Sequence, residues 1–351
     1  MRSIIYTDIH KTPLPLSFSL ISMASASTND QEVAYELPGL LRLYKDGHVE
    51  RLRNTDVVPP SSNLSAGISS KDITINIYEP NISARLYLPK LNHPNQKFPL
   101  LVYFHGGAFC VGSPFCNKYH SYVTKLVAEA NVVAVSVNYR KAPEHPIPAA
   151  YEDSWAALHW IASHRNSNGP ELWLNNHADF GKVFLAGESA GANIAHNLAL
   201  AAGSEDLGSG LGIELLGIAL VHPYFWGSDP IGSEAADPDK KAHIDRLWPF
   251  ICPSNPDNDD LRINPVALGG PGLTGLGCKR VLVSVAEKDV LKDRGWVYYR
   301  VLSGSGWMGV VEIGETEGED HAFHLNDLES QKAKNLIQRL AHFFNRDMPF
   351  L

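Results

Sequence analysis

Three residues of this 351-residue chain have the types needed for nucleophilic catalysis: Ser189, Asp289 and His321. A serine hydroxyl is a weak nucleophile until a base takes its proton, and an imidazole can do this near neutral pH. A carboxylate can hold that imidazole in one tautomer and stabilise the imidazolium that forms. The three side chains could therefore perform acyl transfer if the fold brings them together.

The segment around Ser189 has the pattern G-x-S-x-G, spanning residues 187–191. The apolar residues 183–186 predict a short buried strand before it, and residues 192–200 predict a helix after it. A serine on a sharp turn from strand to helix is a nucleophile elbow, where the chain passes too close for side chains at Gly187 and Gly191. The pattern alone also occurs by chance, so the rest of the sequence has to decide.

The acid and the base each have alternatives nearby. Asp289 lies where a predicted strand stops, whereas Asp293 falls inside the following helix and could cap its first turn. Glu287 precedes the turn and is expected to be exposed. His321 follows an acidic, Gly-containing loop, whereas His324 lies on the way into the closing helix. Placement therefore favours Asp289 and His321.

A glycine pair directly follows the predicted strand 99–104, in the sequence HGGAF at 105–109. Such a pair is either a tight turn or a way to bring backbone N–H groups close to a ligand oxygen. On the second interpretation the loop would bind an oxyanion, and His105 would be structural rather than a base. The predicted N–H donors are Gly107, Ala108 and Ala190, with Gly106 as a further candidate.

Strands and helices are predicted to alternate from residue 99 onwards, which favours a mostly parallel central sheet with helices on both faces. The reactive loops of such a sheet lie at the carboxyl ends of its strands, where the three catalytic candidates would meet. Upstream, the sequence predicts two short strands around a turn at 45–47, a loop at 57–70, and antiparallel edge strands at 72–78 and 82–88.

Between residues 222 and 277 the apolar residues follow neither a helical nor a strand periodicity, and aromatic, Asp, Pro and Gly residues are frequent. A segment of this length between two strands is typically a lid or a binding segment. The alternative is an insertion that packs against the domain and binds no ligand. Aromatic residues here and in the reactive loops predict an apolar pocket of moderate size. The candidate pocket residues are Phe109, Tyr224, Phe225, Trp248 and Phe323.

Composition excludes several classes of protein. A net charge of −8 without a basic block argues against nucleic-acid binding, and no apolar run approaches the roughly 20 residues of a membrane span. Four cysteines lack C-x-x-C spacing, so no metal site or disulfide framework is predicted; a Cys110–Cys116 pair is conceivable, but reduced thiols are favoured. No cofactor is implied.

The first 30 residues permit two interpretations. Their outline resembles a secretory signal, but Asp8 and two prolines interrupt it, and Met23 could equally be the start used in the cell. We therefore predict a flexible or alternative-start extension over 1–30 and a cytoplasmic location, with the nucleus also allowed and secretion as the alternative. Residues 31–351 are predicted to form one domain.

Six ordered blocks of the sequence lie between about residues 35 and 345: HGGAF at 105–109, YRKAPEHPIPAAYEDSWAAL at 139–158, GESAGAN at 187–193, HPYFWG at 222–227, EKDVLKDRGWVYY at 287–299 and DHAFH at 320–324. Together they resemble the plant carboxylesterases, the hormone-sensitive-lipase-like branch of the α/β-hydrolases. The resemblance implies a Ser189–Asp289–His321 triad, an oxyanion loop at 105–108, and a cap formed by the N-terminal segment (about 31–60) and the 222–277 insertion. Ala108 departs from the third glycine of many members, but it keeps the backbone N–H.

The expected activity is hydrolysis of small to medium carboxylic esters through an acyl-enzyme, with a small-molecule ester as the partner. Two other functions occur on similar scaffolds. One is a lyase or cyclase of plant specialised metabolism, such as the 2-hydroxyisoflavanone dehydratases. The other is a gibberellin-receptor type of binding protein, which lacks the triad histidine and is therefore disfavoured by His321. The physiological substrate and the oligomeric state stay open.

Overall fold

A computed structural model of the chain describes residues 32–63, 67–76, 81–204, 210–267, 269–270 and 272–346. The predicted extension over residues 1–30 lies outside the described residues. No helix among the described residues is long and apolar enough to cross a membrane.

A central sheet positions the catalytic candidates. Its nine described strands follow the order β12-β11-β10-β9-β7-β8-β6-β5-β4. The six strands from β12 to β8 in this order are parallel, and the ladders from β8 through β6 and β5 to β4 are antiparallel. The strands are β4 (Ser62–Asn63), β5 (Ile68–Asn76), β6 (Ile82–Pro89), β7 (Phe98–Phe104), β8 (Val133–Asn138), β9 (Ala178–Glu188), β10 (Leu215–Val221), β11 (Cys278–Ala286) and β12 (Val310–Thr316).

Each face of the sheet is covered by helices because its strands are apolar on both sides. In β7, Leu100 and Phe104 face one core while Leu101 and Tyr103 face the other. The first core contains residues of α2, α4 and α8, and the second contains residues of α1 and α9. The helices outside the cap are α1 (Asn117–Ala130), α2 (Ala149–Ala162), α3 (Leu172–His177), α4 (Ala190–Ala202), α8 (Lys292–Gly304) and α9 (Gln331–Asn345).

A cap covers the carboxyl-terminal edge of the sheet and is made of two segments far apart in the chain. The first is a three-stranded antiparallel sheet of β1 (Val33–Leu37), β2 (Leu41–Tyr44) and β3 (Val49–Arg51). The second is the insertion after β10, with short helices α5 (Gly232–Ala236), α6 (Pro238–Asp245) and α7 (Leu247–Ile251). Tyr35 joins the two segments, because its ring stacks on Phe250 at 4.5 Å and its hydroxyl donates to the Arg246 carbonyl.

The predicted mostly parallel α/β architecture is confirmed, with three local differences. The turn at 45–47 does join two strands, but β1 adds a third. The stretch 57–70, expected to be a loop, contains β4 and the start of β5. β6 is not an edge strand, because it lies between β5 and β8 and is almost wholly buried.

Candidate active site

The side chains of Ser189, Asp289 and His321 form one hydrogen-bonded line. His321 Nε2 lies 3.0 Å from Ser189 Oγ, and His321 Nδ1 lies 2.7 Å from Asp289 Oδ2. Each residue lies beyond the carboxyl end of a parallel strand: β9, β11 and β12 respectively. If the Nδ1–H donates to Asp289, Nε2 is free to accept the serine proton. The line therefore has the geometry of a serine nucleophile, its base and the group that orients the base.

Ser189 has a backbone conformation that non-glycine residues rarely adopt, with φ of 55° and ψ of −116°. The two glycines around it make this turn possible. A Cβ on Gly187 would lie 2.3 Å from the Gly191 carbonyl carbon, and a Cβ on Gly191 would lie 2.0 Å from the Phe104 oxygen. These distances are far below van der Waals contact, so the steric reason predicted for both glycines is present in the fold.

The elbow is fixed to its surroundings by hydrogen bonds. Ser189 N–H donates to the Val221 carbonyl, and the Ser189 carbonyl accepts from Tyr224 N–H. One turn further along α4, the buried Asn193 amide donates to the carbonyls of Tyr224 and Arg262. The start of the insertion is thereby attached to the nucleophile helix.

Electrostatics favour a charged Asp289–His321 pair. Burial alone would lower the pKa of His321, but the Asp289 charge, their hydrogen bond and the nearby Glu188 raise it to about 9. Burial likewise opposes ionisation of Asp289, yet His321 holds the pKa of this carboxyl below its usual value. The arrangement can therefore stabilise the imidazolium that proton transfer from the serine creates.

Glu188, the residue before the nucleophile, is a site residue that the sequence analysis did not single out. Its carboxylate is buried, accepts a hydrogen bond from the Tyr119 hydroxyl at 3.0 Å, and lies 3.5 Å from His321 Nε2. Burial raises its pKa, although His321 and Tyr119 favour the charged form. The signal that could have identified it is an acidic residue inside an otherwise small, apolar elbow.

The alternative acid and base have other contacts. His324 is fully buried beside Tyr122, and neither of its ring nitrogens has a hydrogen-bond partner among the described residues. Asp293 accepts from Ser233 in the insertion, so it joins α8 to the cap rather than capping its own helix. Glu287 is exposed, as predicted, and accepts from Gly318 N–H.

The loop after β7 brings two of the predicted oxyanion donors to the pocket. Gly107 and Ala108 line it, both with positive φ (108° and 55°), whereas Gly106 is buried and does not. Ala190 is the first residue of α4, directly after the nucleophile. His105 is buried, donates from Nδ1 to the Gly106 carbonyl and stacks on Tyr139, and burial lowers its pKa to about 3. These contacts agree with its predicted structural role.

A pocket of about 420 Å³ opens onto Ser189 and His321, a volume suited to a small or medium molecule. Its apolar walls come from the cap and from the reactive loops. They include Leu40, Val111, Ile244, Leu247, Val290, Leu291 and Leu325.

Of the five aromatic residues predicted for the pocket, Tyr224 lines it, whereas the structure places the other four outside its walls. Phe109 and Trp248 are fully buried and pack edge to face, and Phe225 stacks on Tyr298 of α8. Phe323 packs in the core on the other face of the sheet. Large rings gain most from complete burial, so these four rings pack in the two cores, while aliphatic side chains form the walls of the pocket.

His222, Asp289 and His321 offer ligand atoms within 4.8 Å of one another, the spacing a metal site needs. Each already has a protein partner in this fold. Asp289 and His321 bond to each other, and His222 Nδ1 accepts from Ala322 N–H. Metal binding would have to break these bonds, so the cluster fits the proton-transfer line better than it fits a metal.

Comparison with known proteins agrees with the fold. The family described as "alpha/beta hydrolase fold" matches residues 101–325, so the chain is an α/β-hydrolase. An esterase from Pyrobaculum calidifontis has a similar structure, with a TM-score of 0.65 and 28% identity over 78% of this chain and 84% of that one.

Two plant proteins narrow the assignment. Probable carboxylesterase 2 of Arabidopsis thaliana is 48% identical over 90% of this chain and 98% of its own length. The 2-hydroxyisoflavanone dehydratase of Glycyrrhiza echinata is 46% identical over 92% and 99% respectively. The chain belongs to the plant carboxylesterase family, as the sequence motifs predicted.

Proposed function

We propose that this protein is a serine carboxylesterase that hydrolyses small to medium carboxylic esters through an acyl-enzyme. The observation that carries the proposal is the line from Ser189 Oγ through His321 to Asp289, with contacts of 3.0 and 2.7 Å. This line opens into a pocket with largely apolar walls, which suit the hydrocarbon part of an acyl chain or alcohol.

In the proposed mechanism, Ser189 Oγ attacks the ester carbonyl carbon while His321 Nε2 takes the hydroxyl proton. His321 then gives this proton to the departing alcohol, and the acyl group stays on Ser189. A water molecule, deprotonated by His321, attacks the acyl-enzyme and releases the acid. Asp289 stays ionised throughout and stabilises the imidazolium.

The tetrahedral intermediates carry a negative oxygen, for which we assign the backbone N–H groups of Gly107, Ala108 and Ala190 as donors. Gly107 and Ala108 lie in the pocket wall, and Ala190 directly follows the nucleophile. Removing one donor of this kind typically costs about 3 kcal/mol of transition-state stabilisation.

The test is burst kinetics with 4-nitrophenyl butyrate. We expect a stoichiometric burst of 4-nitrophenol followed by steady turnover, and a loss of at least about 10⁴-fold in kcat for Ser189→Ala. Ser163→Ala is the matched control, because this hydroxyl caps the carbonyl of Trp160 on the surface. Full turnover by Ser189→Ala would refute the proposal.

A dehydratase is the second candidate, because a relative with that name is 46% identical over nearly its whole length. Such an enzyme would eliminate water from a 2-hydroxyisoflavanone in the same pocket. Incubation with that compound and detection of the isoflavone separates the two functions. Isoflavone formation without any ester turnover would refute the esterase proposal and support the dehydratase.

A cytoplasmic location stays a prediction. Full-length protein and a form starting at Met23, each with a C-terminal fluorescent protein, test it in plant cells. Diffuse cytoplasmic or nucleocytoplasmic signal from both forms is expected, and secretion of the longer form would contradict it.

A further inference from the structure

The rim of the active-site pocket carries three cationic side chains from three separate segments. Arg53 follows β3 in the first half of the cap, Lys240 lies in α6 of the second half, and Lys118 lies in the first turn of α1. Their presence at one opening is not a general property of the surface, because the whole chain has a net charge of −8.

Two of these cations lack a partner among the residues that the structure describes. Neither the Arg53 guanidinium nor the Lys240 ammonium has a hydrogen bond or ion pair with any described residue, and Lys118 Nζ donates only to Asn326 Oδ1, at 3.1 Å. Other arginines of the cap are used structurally: Arg51 pairs with Glu144, and Arg262 pairs with Asp260. The cations at the rim therefore keep their hydrogen-bonding capacity for a ligand.

The floor of the pocket has the opposite charge. Glu188 and Asp289 lie beside Ser189 and, among the described ion pairs, each pairs only with His321, although the Lys118 charge also favours the ionised form of Glu188. Asp320 also lines the pocket, with one carboxylate oxygen accepting from His321 N–H. An anionic group would thus be repelled near the scissile bond and attracted at the opening.

We propose that the preferred substrate is an ester carrying a carboxylate that an apolar spacer separates from the scissile carbonyl. The spacer would lie along the aliphatic walls, for example Ile244 and Leu247, with the carboxylate at Arg53, Lys118 and Lys240. This inference rests on the proposed esterase function, and it names the substrate class of the same site.

The test compares two substrates that differ at the distal carboxyl group, which is free in mono-4-nitrophenyl suberate and methylated in its methyl ester. At low salt we expect kcat/KM for the acid to exceed that for the methyl ester by about 10-fold, a typical sum for three exposed charge pairs. In about 1 M NaCl, where the Debye length is about 3 Å, the preference should largely disappear.

Variants then assign the preference to the rim. The triple variant Arg53→Gln/Lys118→Gln/Lys240→Gln should lose most of the acid-over-ester ratio, and each single variant should lose part of it. The matched control removes the same charge elsewhere, with Lys90→Gln/Lys279→Gln/Lys334→Gln on exposed positions outside the pocket. This control should keep the wild-type ratio.

The outcomes distinguish the two proposals. Turnover of the methyl ester without preference for the acid, or a preference that survives in the triple variant, overturns the anionic-substrate inference alone. Absence of turnover for both suberates and for 4-nitrophenyl butyrate overturns the esterase function and this inference with it. The single variants and the salt series decide the matter even if the triple variant does not fold.

Discussion

Ser189 and Glu188 are adjacent in the chain, and both lie close to Nε2 of His321. Ser189 occupies a strained backbone conformation that points to a functional constraint, since strain of this kind costs of order 1–3 kcal/mol. Glu188 lies 3.5 Å from the same imidazole nitrogen that contacts the serine. The base is therefore placed between two carboxylates, Asp289 on Nδ1 and Glu188 near Nε2.

This placement predicts a specific pH dependence. Only the neutral imidazole can accept the serine proton, and the pKa of His321 is raised to about 9. We therefore expect kcat/KM to rise with pH and to level off only above about pH 9. Glu188→Gln removes a negative charge that favours the imidazolium, so its profile should shift to lower pH.

The measurement is kcat/KM for 4-nitrophenyl butyrate from pH 5 to 10, corrected for spontaneous hydrolysis. Glu329→Gln, a charge removal on the surface, is the control and should leave the profile in place. An identical profile for Glu188→Gln would mean that Asp289 alone sets the pKa of His321.

At the scale of elements, the sequence predicted the apolar strands of the central sheet and the sharp turn between β9 and α4. The apolar runs that became β7, β8, β10 and β11 predicted the parallel sheet, because both sides of these strands are buried. The glycines of the elbow predicted the turn for the steric reason that the structure shows.

The pocket could not be predicted in the same way. Its walls are ordinary leucines, valines and isoleucines such as Leu40 and Val290, which have no signature that separates them from core residues. Large rings such as that of Trp248 were predicted to line the pocket but are buried outside it, because ring size favours burial more strongly than it favours ligand contact. The short helices α5 to α7 are also too brief to show periodicity.

The contact between β9 and α4 predicts a sharp difference between two glycine substitutions. Gly187→Ala would place a Cβ 2.3 Å from the Gly191 carbonyl carbon, so we expect activity to be lost and the free energy of unfolding to fall by about 3 kcal/mol. Gly304→Ala at the end of α8 meets nothing within 4 Å and should change stability by less than about 1 kcal/mol. Urea unfolding and ester turnover measure both effects; equal stability of the two variants would contradict the steric account.

At the scale of the whole molecule, the substrate space is enclosed by two cap segments that meet through Tyr35 and Phe250. Arg51 fastens the first segment to the body of the protein. Its guanidinium bonds to the Cys110 and Ala142 carbonyls and pairs with Glu144 at 2.6 Å. The cap therefore has a defined anchor outside the catalytic line.

Arg51→Gln should loosen this anchor. Losing its partly buried bonds is expected to cost about 1–3 kcal/mol locally, with faster amide hydrogen exchange in β2 and β3 and a higher KM. Arg42→Gln is the control, since the described hydrogen-bond partners of Arg42, Glu36 and Glu50, lie in the same small sheet. Unchanged exchange in β2 and β3 of Arg51→Gln would show that aromatic stacking alone holds the segment.

Among the described strands, β12 is the outermost of the large sheet and pairs only with β11, and most of its side chains are partly or fully exposed. The imidazole of His321, the proposed base, lies on the loop after this strand, at the edge of the sheet that is most prone to thermal fraying. Mild heating should therefore abolish ester turnover reversibly at a temperature where the tryptophan fluorescence is still that of the folded protein. If activity and the native tryptophan fluorescence are lost at the same temperature, β12 and the core unfold together, which would contradict this prediction.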